Sequence, residues 1–410
     1  MHPVLGNPSA AATGSPVTMS DLSVISDPVI RWNEAGEEKS ARWRSESGMP
    51  PPKRVVIADD RMTADAAYRL ACEGTALLWR GDFQNARQLL QAMTRRANEK
   101  PSVRKNKKIP ATPAEAFHLH RLAQSQCART LGLLLIPFNA DHSIPLRRAP
   151  DVRQACTEAY GPETEDTPTE PYIASLRGLQ GIIGAYEWRK NGVEIPALGA
   201  RIHPHYGVFA PIRGEYIGLV NDAPLPELTA TQSVAFDIGT GTGVLAAVLA
   251  RRSIKRIVAT DQDPRALACV RENLTRLGLA AQVDVVQTDL FPEGRAALVV
   301  CNPPWLPARP SSPLEHAVFD PESRMLRGFL NGLTAHLEIG GEGWLILSDL
   351  AEHLGLRTRA ELLSVIDAAG LKILGKIDVK PHHPRVSDTS DPLHAARAAE
   401  LTSLWRLTAK

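Results

Sequence analysis

The chain has 410 residues, more than one ordinary domain needs, and a hydrophobic share of 43% is enough for a sizeable buried core. Its 47 Lys and Arg nearly cancel 45 Asp and Glu, so whole-chain charge gives no argument for a nucleic-acid or membrane partner. The five cysteines (Cys72, Cys127, Cys156, Cys269, Cys301) lack CxxC or zinc-ligand spacing, which speaks against a disulfide framework or a metal site.

No apolar run reaches the ~18 residues of a membrane-crossing helix, and the N-terminus lacks the basic and apolar regions of a secretory signal. These features predict a cytoplasmic protein. Residues 1–57 are rich in Ser, Pro, Gly and Ala and read as a disordered tail ending in the linker "MPPPKR". Residues 58–193 read as a helical domain. Ala67, Leu70, Ala71, Leu77 and Leu78 recur at helical spacing behind the candidate caps Thr63 and Asp65. Ala86, Leu89, Leu90 and Met93 continue the pattern, and 112–136 and 170–192 read as further helices. Between them, seven of the fourteen residues of 95–108 are Lys or Arg. That run is a solvated loop or a phosphate-contacting patch for RNA, although no aromatic residue interleaves it.

Residues 194–222 alternate and carry Gly and Pro punctuation, predicting a β-hairpin linker. His203 and His205 within it read as structural, because no further ligands stand nearby at zinc spacing. From 223 to 410 strands and helices alternate. Strands are expected at 233–238, 256–261, 282–289, 296–302, 343–348, 371–379 and 401–409, with helices at 243–252, 264–279, 322–337 and 358–370. The expected architecture is an α/β, Rossmann-like sheet of seven strands, mainly parallel, with helices on both faces.

The chemistry concentrates at the ends of the strands in this last region. "DIGTGTG" (237–243) joins the first strand to its helix. Gly239, Gly241 and Gly243 permit a tight turn, and Asp237 precedes them inside the strand. Asp261 ends the second strand, where a carboxylate can accept both hydroxyls of a ribose. Asp289 ends the third, placed for an adenine amine, with Leu290 or Phe291 against the ring. Asn302 ends the fourth in "NPPWLP". Its amide oxygen and the carbonyl of Pro303 can both accept from one planar NH₂ group. Pro303 and Pro304 stiffen the backbone, and Trp305 offers a flat face for that group. Such a site works by orientation and electrostatics and needs no strong base. "KPHHPRVSD" (380–388) reads as a polar loop, with His382, His383 and Arg385 as alternative substrate contacts.

"FDIGTGTGVLA", "ATDQDPRALACVREN", "TDLFPEG" and "NPPWLP", in this order, resemble the class I S-adenosylmethionine-dependent methyltransferases with an Asn-Pro-Pro-aromatic motif. The closest resemblance is to the small-domain enzymes, among them the release-factor glutamine methyltransferases and RNA amine methyltransferases. It covers about 200–410. It implies a sheet whose last strand is antiparallel and S-adenosylmethionine as cofactor. Asp237, Gly239, Gly241, Gly243, Asp261, Asp289 and Leu290 would then hold that cofactor, and Asn302, Pro303, Pro304 and Trp305 would position a target nitrogen. It implies no metal. Residues 58–193 become a substrate-recognition domain, and the partner a release-factor-like protein or an RNA. Trp305 stands where those enzymes usually carry tyrosine. Two other classes compete: an NAD(P)-dependent oxidoreductase using the same glycine loop, and a non-catalytic nucleoside-binding module. Neither accounts for Asn302 through Trp305.

Overall fold

A computed structural model describes residues 28–99, 110–161, 170–231, 233–310, 313–382 and 388–410. The N-terminal part is built on a six-stranded mixed sheet. Strands β1 (Val29–Glu34) and β2 (Glu37–Arg44) form a hairpin turning at Ala35 and Gly36, both with positive φ. Next comes β3 (Arg54–Ala58), then β4 (Thr75–Trp79), β5 (Leu134–Phe138) and β6 (Tyr172–Ser175). The order across the sheet is β1-β2-β6-β5-β4-β3. Helices α1 (Ala64–Cys72), α2 (Phe83–Asn98), α3 (Pro113–Leu131), α4 (Arg153–Tyr160) and α5 (Leu176–Asn191) complete it. Thr63 caps α1 by accepting from the Ala66 amide at 3.3 Å.

Three expectations are corrected here. Residues 28–57 are not a disordered tail. Ile30 is fully buried and Trp32 packs against the core, a period-two pattern that fits a strand pair. Residues 1–27 lie outside the described residues. Residues 58–193 are α/β rather than helical. β4 and most of β5 are short apolar runs buried on both faces, and periodicity cannot separate such strands from buried helix. The predicted hairpin is shorter: β7 (Val193–Ile195) pairs with β8 (Ala200–Ile202), and Glu215–Asp222 is a helix, α6. Tyr216, Ile217 and Val220 bury one helical stripe there. Of the basic run, residues 95–98 are the last turn of α2, where Arg96 pairs with Asp65 at 2.7 Å. Residues 100–109 lie outside the described set, as do His383 and Arg385.

The C-terminal part alternates as expected. In chain order it comprises β9 (Val234–Ile238), α7 (Val244–Arg251), β10 (Arg256–Asp261), α8 (Pro264–Arg276) and β11 (Val283–Gln287). Then follow β12 (Ala296–Cys301), α9 (Arg324–His336), β13 (Leu337–Ser348), α10 (Leu350–His353), α11 (Arg359–Ala368), β14 (Leu371–Val379), α12 (His394–Ala399) and β15 (Thr402–Ala409). The sheet order is β11-β10-β9-β12-β13-β15-β14, and only β15 runs antiparallel to its neighbours. All six residues of β12 are buried, as a central parallel strand requires. Its side chains alternate between two cores. Leu298 and Val300 join α7 and α8, while Val299 and Cys301 join α9 and α11.

The two parts meet over the end of β12. Phe117 on α3 is buried with Leu306, Leu350, Leu354 and Leu393, a burial worth about 2–3 kcal/mol. Arg121, one turn on, donates to the Arg309 carbonyl at 2.9 Å and to Glu315 at 3.1 Å. The first domain is therefore seated on the segment that immediately follows "NPPW". Among the described residues, no helix is long and apolar enough to cross a membrane.

Candidate active site

The register of the sheet brings the predicted residues to one rim. Ile238, the last residue of β9, pairs with Thr260 on one side and Cys301 on the other. The next residues along these strands are Gly239, Asp261 and Asn302, so all three stand at the same level at the strand ends. Strand ends at a crossover between oppositely wound halves are where ligands bind in such sheets.

The glycine loop is held from below. Asp237 is 1% exposed, and one of its oxygens accepts from Thr240 Oγ1 at 2.7 Å and from the Ala246 amide at 3.0 Å. Burial pushes its carboxyl up to about 6 despite those two donors. Gly239, Gly241 and Gly243 have φ of 71°, 55° and 80°, the left-handed region that favours glycine. At Gly243 an added Cβ would stand 2.5 Å from Val270 Cγ2, so the loop packs directly on α8. At Gly241 an added Cβ would meet nothing within 4 Å, so this is the open face of the turn.

Asp261 closes the loop from the side. Its two oxygens accept from the amides of Gly241 and Asp263, each at 3.0 Å, and burial raises its pKa. Each oxygen keeps a lone pair for another donor. Asp289 does not end the third strand as expected: β11 stops at Gln287, and Asp289 is exposed two residues on, ion-paired with Arg324 at the start of α9. Leu290 packs partly against the core and has φ +80°, and its carbonyl accepts from Thr260 Oγ1 at 2.6 Å. Phe291 packs on α9, close against Gly332. It stacks on His336 of α9 with centroids 4.3 Å apart.

Asn302 is half-buried at the end of β12. Its Oδ1 accepts from the indole Nε1–H of Trp305 at 2.9 Å, which fixes which edge of the amide is the acceptor. Leu306 N–H donates to Val318, and the Leu306 carbonyl accepts from the Asp320 amide at 2.8 Å, so the motif returns across the rim. Buried Asp320 then accepts from the amides of Met325 and Leu326, setting the start of α9. The Cys301 thiol beneath the motif is raised well above its usual pKa by burial and is held protonated.

Several residues were missed by sequence reasoning. Asn273 on α8 is buried; its side chain donates to the carbonyls of Thr242 and His203 and accepts from the His203 amide, tying the glycine loop to the β7–β8 hairpin. The available signal was a polar residue on the apolar stripe of Ala266, Val270 and Leu274. Thr240, Thr260 and Asp320 carried no comparable signal. His203 and His205 are structural, bonded to the Arg189 carbonyl at 2.6 Å and to Glu272 at 2.7 Å.

A sheet of this order, with one antiparallel strand and a glycine loop after its first strand, is the class I methyltransferase fold. Residues 204–357 match the family model described as methyltransferase small domain. The chain is similar to this family over those residues. It is 33% identical over 179 residues to a release factor glutamine methyltransferase of Cereibacter sphaeroides, covering 39% of this chain and 58% of that protein. A second, of Moorella thermoacetica, is 31% identical over 168 residues, covering 35% and 59%. A ribosomal protein L11 methyltransferase of Pelotomaculum thermopropionicum is 49% identical over 69 residues, covering 16% and 22%. The chain thus spans under three-fifths of the length of these relatives.

Proposed function

We propose that this protein is an S-adenosylmethionine-dependent N-methyltransferase acting on a planar amide or exocyclic amine, with a glutamine side chain of a polypeptide as the favoured target. The observation that carries the reading is the position of Asn302. An acceptor amide of fixed orientation stands level with Gly239 and Asp261 on one rim. The names of the relatives support the polypeptide target.

The residues present fit the cofactor. The open face at Gly241 leaves room for a ligand against the backbone, and Asp261 retains acceptor capacity for ribose hydroxyls. Asp289 would accept from the adenine amine beside its Arg324 partner, and Leu290 would line the ring. Asp237 acts through the loop it holds. The bound cofactor supplies an electrophilic methyl group on a sulfonium sulfur.

The chain's own part is orientation. An amide nitrogen is a weak nucleophile because its lone pair is delocalised. Asn302 Oδ1 and the Pro303 carbonyl would take its two N–H groups and aim the lone pair across the rim toward the glycine loop. Pro303 and Pro304 hold those carbonyls still, and Trp305 supplies the apolar face. No charged base is needed at this position, since a proton leaves only after the nitrogen has gained its methyl group and can pass to water.

The test is transfer of labelled methyl groups from S-adenosylmethionine into lysate of a strain lacking the protein, followed by separate protease and nuclease digestion. Label released by protease supports the polypeptide target. Release by nuclease moves the target to a nucleobase amine, and no transfer in any fraction overturns the enzyme reading.

A further inference from the structure

Trp305 is not held by the motif alone. The guanidinium carbon of Arg213 lies 5.4 Å from the centre of its ring. Arg213 comes from the segment between the β7–β8 hairpin and α6, far from "NPPW" in sequence, and no motif marks it. Its Nε donates to Glu215 at 3.1 Å and its Nη2 to Glu400 at 3.2 Å. Both carboxylates are withdrawn from water, their side chains 7% and 1% exposed. Glu400 also accepts from Ser348 Oγ at 2.7 Å. Ser348 ends β13, the strand beside β12, and its Oγ accepts in turn from the Leu350 amide at 3.0 Å. A buried ionic bracket therefore runs from the ends of β13 and β15 to one face of the motif's indole.

A buried pair of this kind is costly to assemble and is weak evidence of a role in stability. Its placement suggests another use. An asparagine amide has two nearly isosteric orientations, which present either an acceptor or a donor to the same point. Only the acceptor can meet a substrate NH₂ group. The indole N–H selects that orientation, because it can bond only to the oxygen. The selection lasts only while the ring stays in place, and Arg213 lies against the ring.

Resting on the methyltransferase reading above, we propose that Arg213 is a positioning residue of this site. Anchored by Glu215 and Glu400, it braces Trp305 so that the indole N–H keeps Asn302 Oδ1 turned toward the incoming nitrogen. Arg213 acts through Trp305 and makes no direct contribution to methyl transfer.

The experiment compares the full chain with R213A, R213K and the double variant R213M/E400Q, which removes the Arg213 and Glu400 charges together and leaves Glu215 as the one carboxylate of the bracket without its partner. Two readouts are needed. The first is the indole N–H resonance of Trp305 in ¹⁵N-tryptophan-labelled protein, assigned by its loss in W305F. It should move and exchange faster with solvent in R213A and in the double variant, and R213K should recover part of the change. The second is labelled methyl transfer into the deficient lysate, set beside S-adenosylhomocysteine binding by calorimetry. Transfer should fall about tenfold in R213A and the double variant while S-adenosylhomocysteine affinity stays within about twofold. An unchanged Trp305 resonance in R213A and the double variant overturns the proposal. So does unchanged transfer, or a loss of transfer matched by an equal loss of S-adenosylhomocysteine affinity. If the wild-type protein transfers no label, the methyltransferase reading fails, whereas the resonance separately reports the bracing of Trp305.

Discussion

Asp237→Asn should stabilise the ligand-free protein at neutral pH, although it alters a residue at the centre of the proposed cofactor site. The Asp237 carboxyl is buried beneath the glycine loop and is pushed up to about 6 from the 3.8 of an ordinary aspartate. A carboxyl whose pKa rises on folding holds its proton more tightly in the folded state. Its contribution is therefore most favourable below pH ~4 and is lost as pH climbs through 6. A shift of about two pH units corresponds to about 3 kcal/mol at pH 7. Asparagine keeps the geometry and can use its oxygen to accept from Thr240 and Ala246, as Asp237 does now. The amide's NH₂ then takes the place of the second oxygen, offsetting about 1 kcal/mol for an imperfect partner. The net expectation is about 2 kcal/mol of added stability at pH 7, turning into a loss of up to about 1 kcal/mol near pH 4, where only the imperfect partner counts. Urea melts of both proteins, at steps from pH 4 to 7, measure this as a difference in which other titrating groups cancel. A variant less stable than wild type at pH 7, or a difference that does not change with pH, would refute the account of Asp237 as a charge held at a cost.

Asn302→Ala should lower labelled methyl transfer by about 10²–10³, with S-adenosylhomocysteine affinity by calorimetry nearly unchanged, because only an acceptor for the target is lost. Asp261→Ala should instead weaken S-adenosylhomocysteine binding by about 2 kcal/mol, since the carboxylate that fixes the Gly241 and Asp263 amides goes with any ribose contact. Gly243→Ala should destabilise the fold by about 2–4 kcal/mol in a thermal melt. Its φ of 80° is strained for alanine, and the new Cβ would stand 2.5 Å from Val270 Cγ2 and 3.2 Å from its Cβ, neither of which can swing aside cheaply.

The rim was legible in the sequence because its constraints are local. Left-handed turns demand glycine, as at Gly239, Gly241 and Gly243, and Asp261 and Asn302 directly follow the apolar runs that mark β10 and β12. Long-range supports left no such mark. Arg213, Ser348 and Glu400 become neighbours only once β13 and β15 pair, and each alone reads as an ordinary surface residue. Asn273 lies between these cases, since an amide on an apolar helix stripe signals a buried partner without naming it.

The N-terminal domain was misread for a different reason. Its central strands are five residues long and bury both faces, so they lack the alternation that separates strand from helix. That error bears on function. A helical domain could have been a separate module, but a sheet whose α3 packs Phe117 and Arg121 onto the segment after "NPPW" shares a wall with the site. On the proposed function, a target side chain held at Asn302 would lie beside this wall, so that α3 would help to decide which targets are admitted.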